Sequence, residues 1–386
     1  MDIYELSPEQ IAQIRVWVLA PSLHTNDPNL DYYYDFTQSI NEYTKIFSGL
    51  QINWQWQPVT LHDYASVIAQ IIAEKEKGLH LPVVLNLCDG DEINGTPGIS
   101  VVRMLDASGL IYTGADAYFY AITTSKIPMK KAFDAAGVTT APWFSIQTPD
   151  EMPADFFEKT EKSVIIKPSV SGGSMGVGIR NVVDNAADFK TQTAAMFKGY
   201  RGWDLAVDGL IAETFIEGPE YTTMIVGAWT EPEHCKVYKG VERVFHASLS
   251  EKEKFLSFDR LWEIYEEETP MPGNENFYEY SPAPENIQKQ LQELSLAAFL
   301  AVKGTGYTRV DIRQDRLTGK LYVLEVNAQC GLSEDEDYTS IGAILKVNRQ
   351  SFADLILQII GEAIYRHTKS TRETRTILAV NSSAGR

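Results

Sequence analysis

The chain has 386 residues, 44% hydrophobic and 22% charged, a balance ordinary for a soluble globular protein of two to three domains with sizeable cores. Its 34 basic against 52 acidic residues give a net charge of −18, which argues against nucleic acid or an anionic membrane surface as a partner. Three cysteines, Cys88, Cys235 and Cys330, show no metal-ligand spacing and fit a reducing cytoplasm. The acidic opening Met1-Asp2-Ile3-Tyr4-Glu5 and the lack of any apolar run near ~18 residues predict neither a signal peptide nor a membrane span.

Residues 15–20 read as a first strand, 32–47 as helical, and 52–56 as a second strand. Residues 61–77 form an amphipathic helix, with Tyr64, Val67, Ile68, Ile71 and Ile72 on one stripe. Residues 82–87 follow as a third strand, and 96–108 as a helix with Pro97 near its start, a favoured position. This alternation predicts an α/β domain on a mostly parallel sheet, over residues 1–121. A helix over Lys126–Ala136, closed by Gly137, opens a smaller α/β unit over 122–208. From Gly209 the chain is β-rich, then helical at 287–303 and 352–366, giving a third unit over 209–367. Residues 368–386 lack apolar periodicity until Ile377-Leu378-Ala379-Val380 and read as a tail, with one short strand there as an option.

Two stretches carry chemistry. Val164-Ile165-Ile166-Lys167-Pro168 reads as a buried strand ending in a lysine, and it runs into Ser169-Val170-Ser171-Gly172-Gly173-Ser174-Met175-Gly176-Val177-Gly178. Small residues there let backbone N–H groups approach an anion, although the spacing is not that of a P-loop. The plain alternative is a flexible hairpin turn. Further on, Tyr307-Thr308-Arg309-Val310-Asp311-Ile312-Arg313 and Leu321-Tyr322-Val323-Leu324-Glu325-Val326-Asn327 alternate as two strands, with Gly319 in the turn between them. Arg309, Asp311 and Arg313 share one face, and so do Glu325 and Asn327. Where these faces coincide, two carboxylates and a carboxamide form a hard-oxygen set suited to Mg²⁺ on nucleotide phosphates, with Arg309 beside them to stabilise developing negative charge. The plain alternative is an exposed hairpin with surface charges.

In this order, the segments resemble the ATP-grasp superfamily and, within it, the D-alanine–D-alanine ligase group, over about residues 82–366. Asn86-Leu87-Cys88-Asp89-Gly90 and Tyr112-Thr113-Gly114-Ala115-Asp116 look like the end of the N-terminal domain. Ser125-Lys126 with Lys130-Lys131 looks like the lysine-bearing helix, and Glu213-Thr214-Phe215-Ile216-Glu217-Gly218-Pro219-Glu220 looks like the adenine hinge. The resemblance implies a three-domain ATP-grasp architecture, α/β overall and α+β in its ATP-binding part, working as a homodimer. It implies that Lys126 and Lys167 contact ATP phosphates. Glu213 and the backbone through Ile216 would read the adenine amino edge, with Phe215 packed nearby, and Glu220 would take the ribose hydroxyls. Gly173, Ser174 and Met175 would cover the phosphates and the first substrate. Asp311, Glu325 and Asn327 would hold two Mg²⁺, and Arg309 would steady the reacting oxyanion. On residue type alone, Lys126 and Lys130 read as solvated helix charges, Glu213 and Glu220 as outward strand positions, and Phe215 as core.

The implied reaction converts a carboxylate to an acyl phosphate, which an amine then displaces; the intermediate must be kept from water. Residues 251–276 are polar and too long for an ordinary connection, so they are the candidate lid. The family places a lysine there, and Arg260 is the best positional counterpart.

Two departures from the family concern the substrates. The first turn lacks the Gly-Gly pair and the glutamate that holds the donor ammonium; Asp27, Asp31 and Asp35 are candidates that the sequence does not separate, and His24 reads as solvated. After Asn327 the chain reads Ala328-Gln329-Cys330-Gly331-Leu332-Ser333-Glu334-Asp335-Glu336-Asp337. Counted from Gly331, Glu336 stands where the family has the serine that receives the acceptor carboxylate. Four acids there would repel a carboxylate, unless they point to water and only the backbone matters. The expectation is a ligase joining a small-molecule carboxylate to an amine, with substrates other than two D-alanines. The alternatives are a true D-alanine–D-alanine ligase, a mycosporine-type amino-acid ligase, and a non-catalytic nucleotide binder.

Overall fold

The computed structural model describes residues 3–23, 35–93, 95–153, 157 and 162–384, with side chains to residue 372. The chain opens with a four-stranded sheet of β1 (Ile14–Pro21), β2 (Asn53–Val59), β3 (Leu81–Asn86) and β4 (Ile111–Tyr112), in the order β2-β1-β3-β4 and parallel throughout. β1 is buried almost along its whole length, as expected of a parallel strand covered on both faces. The helix Tyr64–Glu76 buries Val67, Ile68 and Ile71 against one face, with Tyr64 and Ile72 packed beside them, so the stripe read from the sequence is the stripe that packs. The helix Thr37–Gly49 buries Tyr43, Ile46 and Phe47 in the core on the other side. Pro97 is not a first-turn residue: the helix spans Ile99–Ser108 with Gly98 as its cap. The strands end in Pro21, Val59, Asn86 and Tyr112 at the carboxyl edge of this sheet, where ligands of parallel sheets bind.

The second sheet is small and antiparallel: β5 (Trp143–Ile146), β6 (Val164–Pro168), β7 (Val182–Val183) and β8 (Leu210–Thr214), ordered β5-β8-β6-β7. Its entry is the helix Lys126–Ala136, ended by Gly137 in the left-handed conformation (φ 70°), as expected. The third sheet runs β12 (Tyr278–Pro282), β11 (Val241–Phe245), β9 (Glu220–Ala228), β13 (Thr305–Gln314) and β14 (Leu321–Ala328), with β10 (Lys236–Val237) on β9. β9 is buried at every position, and the helix Glu285–Ala301 covers this sheet.

The expected tail with an optional strand is instead the end of one helix, Phe352–Ala384. The reason is local: from Glu362 to Ala384 the sequence has neither glycine nor proline to stop it. Among the described residues, no helix is long and apolar enough to cross a membrane.

One close backbone approach shapes the carboxyl edge of the parallel sheet. Gly90 and Gly98 form a bridge, and Tyr120 Oη donates to Gly90 O at 2.7 Å. A Cβ on Gly98 would lie 1.8 Å from Gly90 O and 2.4 Å from Tyr120 Oη. Gly98→Ala is therefore expected to lower stability by about 2 kcal/mol. Urea unfolding checks this; an unchanged midpoint would contradict the close approach.

Candidate active site

The three sheets face one cavity of ≈ 1150 Å³. Drug-sized ligands occupy ~300–1,000 Å³, so there is room for a nucleotide and small molecules together. Its walls divide by charge.

At one end, Glu213 on β8 is buried between two lysines. Lys167 Nζ on β6 lies 2.5 Å from one carboxylate oxygen, and Lys130 Nζ lies 2.8 Å from the other. Burial alone would raise the Glu213 pKa; the two lysines outweigh it and hold the carboxyl at about 2. Burial also disfavours the Lys167 charge, but Glu213 beside it makes the net direction upward. Lys130 is 1% exposed, so its reading as a solvated charge is corrected: it lies one helical turn beyond Lys126, on the inward face. Lys126 lines the cavity, donates to Ser171 Oγ at 3.2 Å, and stands 3.8 Å from Glu325. Phe215 and Ile216 are buried next to Glu213 on the same wall, and Phe215 carries the Arg313 guanidinium 4.9 Å above its ring.

Glu220 opens β9 and is not an outward strand position. It is 5% exposed and registers with Arg243 on β11 and Arg313 on β13. Arg243 is in direct contact with its carboxylate, and Arg313 lies at 3.8 Å. Arg243 also stacks on Tyr278 and Tyr280 at 5.4 and 5.5 Å. Sequence reading missed Arg243, although the alternation of Val241, Arg243 and Phe245 marks the inward face.

The hairpin forms as expected. Arg309 pairs with Asn327, and Asp311 with Glu325, so all four side chains leave one face. A bulge after Asp311 leaves Leu324 without a partner, increasing the local twist. Asp311 is 5% exposed and accepts from Arg309 Nη2 at 2.9 Å, Thr222 Oγ1 at 2.8 Å and Asn327 Nδ2 at 2.9 Å. Burial would raise its pKa, but Arg309, Arg243 and these donors hold it below the usual carboxylate range. Arg309 is shifted upward despite burial, chiefly by Asp311. Glu325 is about a third exposed to the cavity, and no described residue donates a hydrogen bond to it. Among the described residues no three acids, histidines or cysteines are grouped so as to hold a metal ion, so a metal here would need the Asn327 carbonyl as a third protein ligand. Two carboxylates and one amide oxygen fit a hard divalent cation that keeps positions open for phosphate oxygens.

β6 runs into the glycine-serine loop. Gly173, Ser174 and Gly176 all have positive φ (54°, 62° and 73°). Gly173 and Ser174 line the cavity, while Met175 is 8% exposed and also packs into the small sheet's core. The lid segment lies on this loop: Trp262 Nε1 donates to Gly173 O at 2.8 Å, and Phe258 N to Val177 O at 2.8 Å. Arg260 does not reach the cavity. It is 6% exposed and turned into the lid itself, pairing with Glu253 at 2.9 Å and Glu268 at 3.4 Å and donating to Thr269 O. The adjoining Phe258, Leu261 and Trp262 face the cavity instead.

At the substrate end, Asp27, Asp31 and His24 lie outside the described residues. Asp35 lies on the cavity wall and accepts from Thr37 N at 2.9 Å. Gly331 lines the cavity, with open space where a Cβ would stand. Glu336 does not line it: its carboxylate pairs with Lys346 at 2.7 Å on the surface. The count from Gly331 fails because Asp335 builds an extra turn, accepting from Asp337 N and Tyr338 N at 3.0 Å each. The acids are carried outward, with Glu334 paired to Lys45 at 2.7 Å. The chain returns to the cavity at Tyr338, Thr339 and Ser340. Thr339 Oγ1 accepts from Gly342 N at 3.2 Å and caps the helix Ser340–Asn348, whose N-terminus therefore meets the cavity.

The Lys130–Glu213 pair gives a test. Lys130→Met leaves one face of a buried carboxylate unpaired and should cost about 3 kcal/mol in urea unfolding at pH 7. Because the folded pKa of Glu213 lies below its ordinary 4.5, its stabilisation is present above pH 4.5 and lost as pH falls toward 2. The difference between wild type and variant should shrink over that window; a constant difference would contradict the ion pair.

The family model described as D-ala D-ala ligase C-terminus matches residues 132–361. A D-alanine–D-alanine ligase of Xanthomonas axonopodis is 27% identical over 288 residues, covering 73% of this chain and 78% of that one. One from Clostridium beijerinckii is 24% identical over 315 residues, covering 78% and 93%. Among solved structures, the ligase of Bacillus anthracis complexed with ATP has a TM-score of 0.61 at 18% identity, covering 92% of this chain and 99% of that one. The Coxiella burnetii ligase has a TM-score of 0.64 at 15% identity, covering 95% and 99%. The likeness in three-sheet architecture and the family match over more than half of the chain agree, and the chain belongs to the D-ala D-ala ligase family of ATP-grasp, carbon–nitrogen bond-forming ligases.

Proposed function

We propose that this ligase makes a dipeptide from two amino acids, D-alanine with D-alanine in the first instance. The observation that carries the reading is the outward turn of residues 334–337. It removes the acids from the acceptor end and turns the N-terminus of the helix Ser340–Asn348 toward the cavity, where a carboxylate is favoured. The names of the relatives point the same way. A second reading, a ligase for another carboxylate and amine, is favoured by one feature: the first strand Ile14–Pro21 is not followed by a glycine pair.

In the proposed reaction a carboxylate oxygen of the first amino acid attacks the terminal phosphorus of ATP, and the bond to ADP breaks. The amine of the second then attacks the acyl carbon, an amide forms, and inorganic phosphate leaves with the carboxylate oxygen. Lys126 and Lys167 offset the charge of the approaching anions, Arg309 faces the oxyanion, and the loop at Gly173 and Ser174 with the Trp262 side of the lid excludes water. The hinge from Glu213 through Phe215 and Ile216 is the adenine wall, and Glu220 stands at the ribose end. A divalent cation on Asp311, Glu325 and Asn327 would supply charge neutralisation between phosphate oxygens. We take the units 1–121, 122–208 and 209–367 as the three domains of a cytoplasmic homodimer.

ADP release from ATP and Mg²⁺ against D- and L-amino acids, singly and in pairs, tests the reading. D-alanine alone should support turnover; turnover only with another pair would select the second reading. Asp311→Asn and Glu325→Gln should each lower Mg²⁺-dependent turnover by on the order of 100-fold or more, since partners one shell further out already cost up to that. Glu336→Ala should change turnover by no more than about twofold, as an exposed surface residue.

A further inference from the structure

The chain leaves the hairpin through a residue that reaches across to the parallel sheet. β14 ends at Ala328, and Gln329 after it takes the left-handed conformation (φ 55°) although it is not glycine. Gln329 is 3% exposed, and its carboxamide makes two hydrogen bonds to backbone of the first part of the chain. Oε1 accepts from Ala115 N at 2.8 Å, and Nε2 donates to Asn86 O at 2.7 Å. Asn86 is the last residue of β3, and Ala115 lies in the loop after β4. One contact needs an acceptor and the other a donor, a pair that a carboxamide supplies in one planar group. Gly114 makes the room: a Cβ there would stand 1.7 Å from Gln329 Oε1.

The groups on either side of this grip have other supports. The gripped loop is also held by Arg366, which donates to Gly114 O at 3.1 Å, and by Thr305 Oγ1, which accepts from Asp116 N at 2.9 Å. Asn327, two residues before Gln329, has its own bond to Asp311 at 2.9 Å and its pairing with Arg309. The segment that follows depends on its ends. Cys330, Gly331, Leu332 and Ser333 all line the cavity. Gln329 ties the near end, and Ser333 Oγ ties the far end by donating to Glu42 on the helix Thr37–Gly49 at 2.7 Å. This cavity wall is thus pinned at both ends to the parallel-sheet part of the chain, and it leads through residues 334–337 to Tyr338, Thr339 and Ser340.

Neither hydrogen bond of Gln329 goes to the nucleotide wall at Lys126, Lys167 and Glu213–Glu220. Resting on the reading of residues 338–340 as the acceptor end, we propose that Gln329 is a positioning residue for the second half of the reaction. Its carboxamide sets where the wall 330–333, and the acceptor end beyond it, stand relative to the acyl phosphate. It acts through the backbone it holds. A shift of about 1 Å in that wall is enough to cost ~100-fold in rate, because the amine must meet the acyl carbon in a narrow range of geometry.

The experiment compares wild type, Gln329→Met and Gln329→Glu with ATP, Mg²⁺ and D-alanine. It reads dipeptide formation and, separately, the hydroxamate formed when hydroxylamine takes the acyl group in place of the acceptor. Gln329→Met leaves Ala115 N and Asn86 O without their partner. Its dipeptide formation should fall ~100-fold, with hydroxamate formation and the KM for ATP unchanged. Gln329→Glu keeps the shape and tests the hydrogen bonds. A protonated carboxyl reproduces the donor and acceptor, whereas an ionised one sets an oxygen against Asn86 O. Burial raises the pKa of such a carboxyl, so its dipeptide rate relative to wild type should be highest at low pH and fall as pH rises through about 6–8; the ratio for Gln329→Met should stay flat. If both variants form dipeptide at the wild-type rate, the inference is overturned with the dipeptide reading intact. If dipeptide and hydroxamate fall in equal proportion, Gln329 is merely structural and the inference is overturned as well. If wild type forms hydroxamate and amide only with another carboxylate and amine, the D-alanine reading falls, and the same comparison on that pair decides the role of Gln329.

Discussion

The register of β13 against β14 is the constraint on which the site depends. With Arg309 opposite Asn327 and Asp311 opposite Glu325, the polar residues share the cavity face, while Val310, Ile312, Val323 and Val326 enter the core at 0–1% exposure. A slip of one residue would turn the carboxylates into the core and the valines into the cavity, so hydrophobic burial and site chemistry enforce the same pairing. β9 on the other side of β13 locks it, and supplies Thr222 to Asp311 and Glu220 to Arg313.

A protein with a net charge of −18 must still present positive charge to a polyanion. It does so by burying acids as tethers. Glu213 holds Lys130 and Lys167, Glu220 holds Arg243 and Arg313, and Asp311 holds Arg309. Such buried pairs add little net stability compared with apolar packing, but they fix where the cations stand. The result is a cavity with lysines and arginines fixed on its wall by these tethers, suited to a phosphate chain.

Much of this was legible from local pattern. Period-2 alternation placed Arg309, Asp311, Glu325 and Asn327 together, and the 3.6-residue stripe found Val67, Ile68 and Ile71. Features set by distant contacts were not legible. Glu336 was misplaced because residue counting does not see the turn that Asp335 builds. Arg260 was misplaced because the lid is thick enough to have an interior, with Glu253 and Glu268 inside it. Lys130 looked like a solvated neighbour of Lys126 until Glu213, 83 positions later in the chain, was brought against it.

The central claim is that a carboxylate is activated as an acyl phosphate in this cavity and passed to an amine. Oxygen-18 in the carboxylate of the activated amino acid tests it most directly. The account requires one labelled oxygen in each inorganic phosphate released as the amide forms. Amide formation with unlabelled phosphate would contradict it.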